Sequence, residues 1–337
     1  MTKRLILNGL LIGLIVVGCS RPDMQRQGVD HYIQGQLLLD QGDVESALKE
    51  LEKAVRTDPK LSIAHNTIGD VYCRQGNYER ARQSYESAVR SNPFAFRSYY
   101  NLGVTYQLLA KTAQAVEQVR EYINQAVEAY TKAISLMPGD FDSQLNVSAC
   151  YFQLGQFEKA VEHCQQAIRI KPQNTKARVN LATIYDHHGQ SYEAVRAYLS
   201  ALELEPDNPD LLRKLGSTYL KQDRLNPAFR VYEQAAKALP DQAWPWEKIG
   251  EVYYRQKEFD QAIEAFQKAT KIDPQSPAAW RGMGVAYLSQ FVLDKSRADL
   301  RDKGLEAWNI SLELDPSQQD IRRLVRKYTP KPDLPEL

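Results

Sequence analysis

The feature that most constrains how this chain can fold is a proline that recurs about every 34 residues. The prolines that mark the period are Pro59, Pro93, Pro138, Pro172, Pro206, Pro240, Pro274 and Pro316. The intervals between them are 34, 45, 34, 34, 34, 34 and 42 residues. A fixed period in this range is typical of a solenoid of stacked helix pairs, because one unit can bury its apolar face only against its neighbours.

Residues 62–95 show the repeated unit most fully. Gly69 and Tyr72 lie three residues apart, which places them on one face of a first helix. Ala81, Tyr85 and Ala88 recur at intervals of four and three on a second helix. The small residues at positions 69 and 81 allow the two helices to approach closely, and the tyrosines fill the space around them. Each unit is therefore predicted to be a helical hairpin.

The repeated pattern resembles that of the tetratricopeptide repeat family, and it returns, for example, as Gly250, Tyr253, Ala262 and Phe266. Eight repeats are predicted to begin near Gly28, Ser62, Phe96, Phe141, Thr175, Pro209, Ala243 and Pro277. The resemblance covers about residues 28–318 and implies an all-α, right-handed superhelical solenoid of eight helix pairs. Residues 319–329 are expected to form a C-terminal capping helix, and residues 330–337 a short flexible tail.

Two of the repeats are longer than the others. The third has 11 extra residues, and Gln125-Ala126-Val127-Glu128 repeats Gln114-Ala115-Val116-Glu117. Because eleven residues make about three helical turns, we expect the second helix of this repeat to extend by roughly 16 Å. The eighth repeat has eight extra residues around positions 292–303. One hypothesis is that both extensions form a contact surface for a partner or for self-association, and the alternative is that they are tolerated insertions.

The N-terminus resembles a bacterial lipoprotein signal. Lys3 and Arg4 precede an apolar run over residues 5–17, which ends in Val16-Val17-Gly18-Cys19. The run suits a signal peptide better than a membrane span, because it is too short to cross a bilayer. The resemblance implies removal of residues 1–18, lipidation of Cys19 and a tether over residues 19–27. An ordinary signal peptide with a chance cysteine is the alternative.

The same resemblance implies a location in the cell envelope. Ser20, rather than aspartate, follows the cysteine, which by the sorting rules of enteric bacteria favours the outer membrane, facing the periplasm. In a cell with a single membrane, the protein would instead lie on the outer surface. Without residues 1–18 the chain has a net charge of −1, which gives no electrostatic reason to expect nucleic-acid binding.

The sequence offers little to support catalysis. It has no nucleophile elbow, phosphate-binding glycine loop, paired CxxC motif or HExxH motif. His187 and His188 are adjacent on a predicted helix and point about 100° apart, which disfavours a shared metal ion. We therefore expect no enzyme, cofactor or metal site. Cys150 and Cys164 are expected to be buried thiols, with a disulfide as the alternative.

The family resemblance implies a protein-binding groove formed by the first helix of each repeat. The residues that occupy its inner-facing positions are Asn66, Asp70, Arg74, Arg97, Tyr100, Gln107, Lys176, Asp186, Arg213, Lys221, Trp244, Glu247, Glu251, Tyr254 and Arg281. Trp244 is the strongest single candidate, because a tryptophan at such a position has no evident role in the core. The alternative is that it packs against Pro245 or Trp246.

These features predict a membrane-anchored scaffold of the cell envelope that binds proteins or peptides through its groove. The resemblance favours a role in assembling a pilus or secretion-type complex. The alternative is an adaptor or regulator that recruits a separate periplasmic protease or wall hydrolase. Contact with the membrane is expected through the lipid alone, self-association is possible, and no nucleic acid is expected as a partner.

Overall fold

The computed structural model describes residues 23–330, and the regular structure in this range is entirely helical. The helices are α1 (residues 23–40), α2 (Val44–Thr57), α3 (Ser62–Arg74), α4 (Tyr78–Ser91), α5 (Phe96–Thr112), α6 (Val116–Leu136), α7 (Phe141–Gln153), α8 (Phe157–Ile170), α9 (Thr175–His187), α10 (Ser191–Leu202), α11 (Pro209–Lys221), α12 (Leu225–Ala238), α13 (Trp244–Arg255), α14 (Phe259–Ile272), α15 (Pro277–Leu293), α16 (Ala298–Leu314) and α17 (Gln319–Tyr328). Eight hairpins followed by one helix confirm the predicted all-α solenoid fold. The predicted signal peptide, Cys19, the start of the tether and residues 331–337 lie outside the described range.

The chain divides into two compact units, Met1–Pro172 and Gln173–Leu337. The described part of the first unit comprises α1–α8, and that of the second comprises α9–α17. In the first unit a buried cluster runs from α4 through α5 and α6 to α7 and includes Tyr85, Tyr130 and Cys150. In the second, a comparable cluster around Leu215 and Tyr232 runs from α9 to α14.

Small residues position the helices of each hairpin. Gly69 faces Tyr85, and a Cβ added at position 69 would lie 2.6 Å from the ring. Gly103 faces Tyr130 in the same way, and Gly250 faces Phe266. The alanines predicted to lie at close helix crossings are all fully buried, and they are Ala81, Ala160, Ala194 and Ala262. The repeated small and aromatic positions therefore form the core that the pattern predicts.

In six of the eight described hairpins, the turn places one residue in the left-handed region of backbone conformation. Glycine occupies this position at Gly42, Gly76, Gly155 and Gly189, with φ between 72° and 82°. In the sixth and seventh repeats the same position is held by Asp223 (φ 54°) and Lys257 (φ 65°). Aspartate tolerates this conformation better than most residues, whereas lysine adopts it at a cost. Lys257 is therefore the unusual residue of this series.

The extra residues of the third repeat are shared between both of its helices. α5 has 17 residues where α3 has 13, and α6 has 21 where α4 has 14. The expectation that only the second helix would lengthen by 16 Å is therefore wrong. Ile123 of α6 lies in the same buried cluster as Leu109 and Ala110 of the lengthened α5. A longer second helix alone would leave this apolar face uncovered.

The eighth repeat distributes its insertion in a similar way. α15 and α16 each have 17 residues, and the segment between them, residues 294–297, is one residue longer than the usual turn. α17 then packs on this hairpin through Ile321, Leu324 and Tyr328, in a cluster that contains Trp308. α17 thereby covers the apolar end of the hairpin, as expected of a cap.

The first helix begins earlier than the sequence pattern suggests. Residues 23–27, which were expected to belong to a flexible tether, are helical in the structure. Their side chains are exposed, so the apolar periodicity used to place the start of the repeat is absent there. Helix propensity favours this, because Met24, Gln25, Arg26 and Gln27 are good helix formers. Within residues 23–330 we find no helix with the length and apolar character needed to cross a membrane.

Candidate functional site

An apolar cleft of about 660 Å³ lies in the second unit, where α13, α15, α16 and α17 meet. Its apolar lining comprises Tyr254, Phe259, Val285, Leu288, Val292, Leu293, Trp308, Leu324 and Tyr328. Leu293 is 78% exposed although it is a large hydrophobic residue. Val292 and Leu293 belong to the last turn of α15, the turn that the insertion in the eighth repeat adds. A cleft of this size and composition is suited to apolar side chains of a partner.

The charged residues that line the cleft are Arg255 and Lys257, and both are cationic. Lys257 is the residue that replaces the turn glycine and has a φ of 65°. A strained backbone conformation of this kind is commonly retained where a side chain has a functional role. Arg255 also forms a 2.9 Å ion pair with Glu251, so Lys257 contributes most of the positive charge. This charge gives the cleft a preference for segments in which acidic residues lie beside apolar ones.

A second pocket of about 360 Å³ adjoins the cleft and shares Tyr254, Arg255 and Val285 with it. We call it the polar pocket, because half of its lining residues are charged, although its apolar residues also contribute to the lining. Three of the predicted groove residues, Glu247, Glu251 and Arg281, line this pocket. Tyr254, which lines both pockets, is a fourth predicted groove residue. The structure therefore brings these four predicted residues together beside the apolar cleft.

Both glutamates of the polar pocket are already engaged within the protein. Glu251 accepts hydrogen bonds of 2.9 Å from Lys248 and from Arg255. Burial opposes its ionisation, but these bonds and the charges of the two cations hold the pKa of Glu251 below its ordinary value. Glu247 accepts a 2.6 Å hydrogen bond from the hydroxyl of Ser276, the N-cap of α15. Arg281, in contrast, is exposed, so this pocket also presents positive charge to a partner.

The structure gives Trp244 a packing role that the sequence analysis did not assign. Its ring meets that of Tyr232 edge-on, with the centroids 6.4 Å apart. The guanidinium of Arg213 lies 4.5 Å from the centre of the tryptophan ring. The expectation that Trp244 has no role in the core is therefore wrong, and the packing partners come from the preceding repeat instead of Pro245 or Trp246. This tertiary contact could not be read from local spacing.

Two other predicted groove residues of the second unit, Asp186 and Lys221, connect successive repeats. Lys221 at the end of α11 donates a 2.7 Å hydrogen bond to Asp186 at the end of α9. Lys176, at the start of α9, is exposed and lies at the opposite end of that helix. These residues occupy groove positions, but they do not line the cleft.

In the first unit, several groove positions form a hydrogen-bonded network. Asp70 accepts hydrogen bonds from Tyr85 (2.6 Å), Asn101 (2.9 Å) and Asn66 (3.2 Å). Asn66 in turn accepts a 3.0 Å bond from Ser98. These bonds connect α3 with α4 and α5, so they stabilise the hairpin and its neighbour.

The remaining predicted residues of the first unit fall into two groups. The side-chain oxygen of Gln107 accepts a 2.7 Å bond from Tyr130, and the ring of Tyr100 packs edge-on against Tyr130 at 5.9 Å. Arg74 and Arg97 are exposed. The two arginines are therefore the predicted groove residues of this unit that reach solvent most fully.

Sequence analysis missed most of the cleft's apolar residues. Leu288, Val292 and Leu293 lie on α15, at or beyond the positions that the family pattern assigns to a groove. Leu324 and Tyr328 lie on α17, outside the repeats. Two signals were present in the sequence. The insertion around positions 292–303 was considered as a contact surface, and Lys257, like Asp223, replaces the glycine of the turn series.

Among the described residues, no disulfide joins Cys73, Cys150 or Cys164, and the latter two are buried. Burial raises the pKa of Cys150 and of Cys164 to about 12, which disfavours nucleophilic chemistry at either. Within residues 23–330, no group of three His, Cys, Asp or Glu side chains is arranged to hold a metal ion. Asp186, the acidic neighbour of the two histidines, is paired with Lys221 instead.

Comparisons with known proteins agree with the helical hairpins. Tetratricopeptide repeat models match residues 32–95, 66–123 and 149–174. The chain is a tetratricopeptide repeat protein. A model described as the C-terminal domain of cilia and flagella-associated protein 70 matches residues 174–298 of this repeat protein. None of these family models describes a catalytic domain, and no curated protein matches the sequence.

Solved structures with the same type of fold are distant in sequence from this tetratricopeptide repeat protein. A tetratricopeptide repeat protein from Parabacteroides merdae is 18% identical, with a TM-score of 0.50, and the match covers 77% of this chain and 99% of that one. PilF of Pseudomonas aeruginosa is 17% identical, with a TM-score of 0.46 and coverage of 65% and 94%. YrrB, described as having an unusual peptide-binding site, is 21% identical, with a TM-score of 0.46 and coverage of 60% and 99%. At these identities the likeness concerns the fold alone.

Proposed function

We propose that this protein is a lipid-anchored scaffold of the cell envelope, and that the cleft of its second unit binds a partner segment rich in apolar and acidic residues. The observation that carries the binding proposal is the coincidence of an open apolar lining with two cationic side chains, Arg255 and Lys257. Repeat proteins of this family act as protein-interaction scaffolds, and the cleft supplies a surface suited to that role.

The proposed location depends on the N-terminal sequence. The segment Val16-Val17-Gly18-Cys19 supports lipidation at Cys19, and Ser20 supports a final position at the outer membrane, facing the periplasm. Several acyl chains on one cysteine would hold the protein stably at a membrane, since one chain alone gives only marginal binding. We propose that the scaffold assists assembly of a pilus or secretion-type complex, with recruitment of a separate envelope enzyme as the alternative.

Affinity purification tests both parts of this proposal. The lipidated protein is extracted from envelopes in detergent after mild crosslinking, and it is compared with Leu293→Asp and with Cys19→Ala. Phe94→Asp is the matched control, because Phe94 is also a large hydrophobic residue, 81% exposed, and it lies in the first unit. We expect partner recovery to fall at least about tenfold with Leu293→Asp, since a buried charge opposes apolar docking, and to be unchanged with Phe94→Asp.

The identity of the recovered material separates the two roles. A multi-protein membrane assembly that is lost with Cys19→Ala would support the assembly role. One soluble hydrolase retained by both the lipidated and the Cys19→Ala forms would support the adaptor role. Equal recovery with Leu293→Asp and Phe94→Asp would contradict the cleft as the binding site.

A further inference from the structure

The chain itself contains a segment with the composition that the cleft favours. Residues 332–337 consist of two successive triplets, Pro332-Asp333-Leu334 and Pro335-Glu336-Leu337. Each triplet has one proline, one acidic residue and one leucine in the same order. We propose that this segment binds in the cleft of the same molecule and competes there with the partner.

The triplet spacing matches the geometry of a polyproline II helix, which has three residues per turn. In that conformation Leu334 and Leu337 would lie along one edge, and Asp333 and Glu336 along a second. The prolines at the remaining positions favour this extended conformation and disfavour an α-helix. A segment with one apolar edge and one acidic edge complements a surface that is apolar with cations beside it.

The cleft provides a partner for each edge. Leu293 and Val292 of α15, which are both exposed, supply an apolar surface for the two leucines. Lys257 supplies positive charge for Asp333 and Glu336, together with Arg255, whose charge is partly offset by its 2.9 Å ion pair with Glu251. None of the residues that line the cleft is acidic. Lys257 reaches this position from a left-handed backbone conformation that a glycine would adopt without strain. Both the charge and the apolar surface of the cleft therefore complement the segment 332–337.

The connection is long enough for binding within one molecule. Tyr328, the last residue of α17, lines the cleft itself. Leu334 follows six residues later, and an extended chain of six residues spans up to about 20 Å. A short connection of this kind gives a local concentration in the millimolar range. The segment therefore needs only modest intrinsic affinity to occupy the cleft for much of the time.

This inference rests on the proposed function in one respect, because it treats the cleft as a peptide-binding surface. Its test does not need the partner. A photoreactive phenylalanine analogue replaces Leu334 in the full chain, and the crosslinked residue is located by mass spectrometry. We expect adducts within the same molecule at residues 285–293 or 324–328, and at least about a fivefold lower yield with Leu293→Asp. The matched Phe94→Asp variant should leave the yield unchanged.

Charge reversal tests the acidic edge separately. The double change Asp333→Lys and Glu336→Lys should lower the same crosslink at least about fivefold, whereas general apolar collapse would not respond to these charges. A fluorescent peptide of residues 331–337 should bind the chain carrying Leu334→Asp and Leu337→Asp about tenfold more tightly than the wild-type chain. This follows if the peptide has an affinity near 100 μM and the local concentration is near 1 mM.

Three results would overturn the proposal. Adducts spread over residues outside the cleft would show that the segment has no preferred site. Adducts between isotopically distinct copies would assign the cleft to a second molecule. Equal peptide affinity for both chains would show that the cleft is open in the wild-type protein. If the segment fails these tests while Leu293→Asp still removes a partner, only this inference is lost and the proposed function remains.

Discussion

A glycine and an aromatic ring fit against each other at the same place in successive hairpins. The ring of Tyr85 lies against Gly69, and the ring of Tyr130 lies against Gly103. In each case the aromatic side chain is almost fully buried. The ring therefore cannot move aside for an added methyl group.

Replacement of Gly69 by alanine is expected to destabilise the protein by about 1–3 kcal/mol, through overpacking against Tyr85. The higher helix propensity of alanine offsets up to about 1 kcal/mol of the unfavourable contact. Gly139→Ala is the control, since an added Cβ there has no neighbour within 4 Å. Urea unfolding measures both variants, and equal stability of the two would contradict the packing described here.

Lys257 combines a strained backbone with a position beside the cleft. Lys257→Gly is expected to stabilise the fold by about 0.5–1 kcal/mol, because glycine adopts a φ of 65° without strain. The same change should weaken binding of an acidic peptide. Asp223→Gly is the control, because it changes the equivalent turn away from the cleft. If Lys257→Gly lowers the melting temperature, or leaves peptide binding unchanged, the functional interpretation of this strain is wrong.

His163 is expected to make the stability of the folded protein depend on pH. It is half-buried, lies 2.8 Å from the side-chain oxygen of Gln144 and stacks on Tyr151. Burial lowers the pKa of His163 below its ordinary value of about 6.5, and burial acts similarly on His65. The unfolded chain therefore binds a proton more readily than the folded one as the pH falls through this range.

The melting temperature is thus expected to fall between pH 7 and about pH 5.5, with the stability present above the unfolded-state pKa. His163→Gln should make this fall smaller without abolishing it, because His65 still contributes. Calorimetry at several pH values measures the effect. A steeper fall in His163→Gln than in the wild-type protein would contradict the assigned direction.

At the scale of elements, the long third repeat is an ordinary repeat with whole helical turns added to both helices. Ala126, Tyr130 and Ala133 hold the positions that Ala81, Tyr85 and Ala88 hold in the preceding repeat, and their side chains are likewise buried. The added part contacts its neighbour through Tyr122, which donates a 2.9 Å hydrogen bond to Glu79. Whole turns preserve the orientation of each apolar face.

Removal of residues 109–112 together with residues 116–122 should therefore restore a repeat of normal length and leave the protein folded. Deletion of residues 115–125 removes the same number of residues from α6 and its turn alone. It should be less stable, because it removes Ile123 and uncovers Leu109 and Ala110, all three of which are buried. Circular dichroism and urea unfolding compare the two deletions. Equal stability would contradict the shared packing of the two extensions.

The sequence was sufficient to predict the helical hairpins, because small and aromatic residues repeat at fixed spacing. The sequence was not sufficient to show how the 11 extra residues of the third repeat are divided between its two helices. Placing all of them in α6, or sharing them between α5 and α6, gives a repeat of the same length. The sequence also placed Trp244 in a binding groove, although Tyr232 and Arg213 of the preceding repeat pack against it. The insertion around residues 292–303 was considered as a contact surface, but the exposure of Leu293 in particular depends on where α16 and α17 pack. The division of the insertion, the packing of Trp244 and the exposure of Leu293 all depend on contacts between successive helices. The spacing of residues within one repeat does not predict such contacts.

In the whole molecule, we propose one surface of the second unit for partner binding. The cleft there has an apolar lining, two cations and an exposed Leu293. The lipid anchor proposed at Cys19 would hold the protein at a membrane. The segment 332–337 would then limit binding to partners that compete successfully with it.

Site-specific photocrosslinking in intact envelopes would show whether the cleft binds a partner protein. A photoreactive side chain is placed at position 293, and in a parallel sample at position 94, which is equally exposed in the wild-type protein. We predict a discrete adduct with another protein from position 293 and none of that mass from position 94. The same adduct from both positions, or from position 94 alone, would contradict the assignment of partner binding to the cleft.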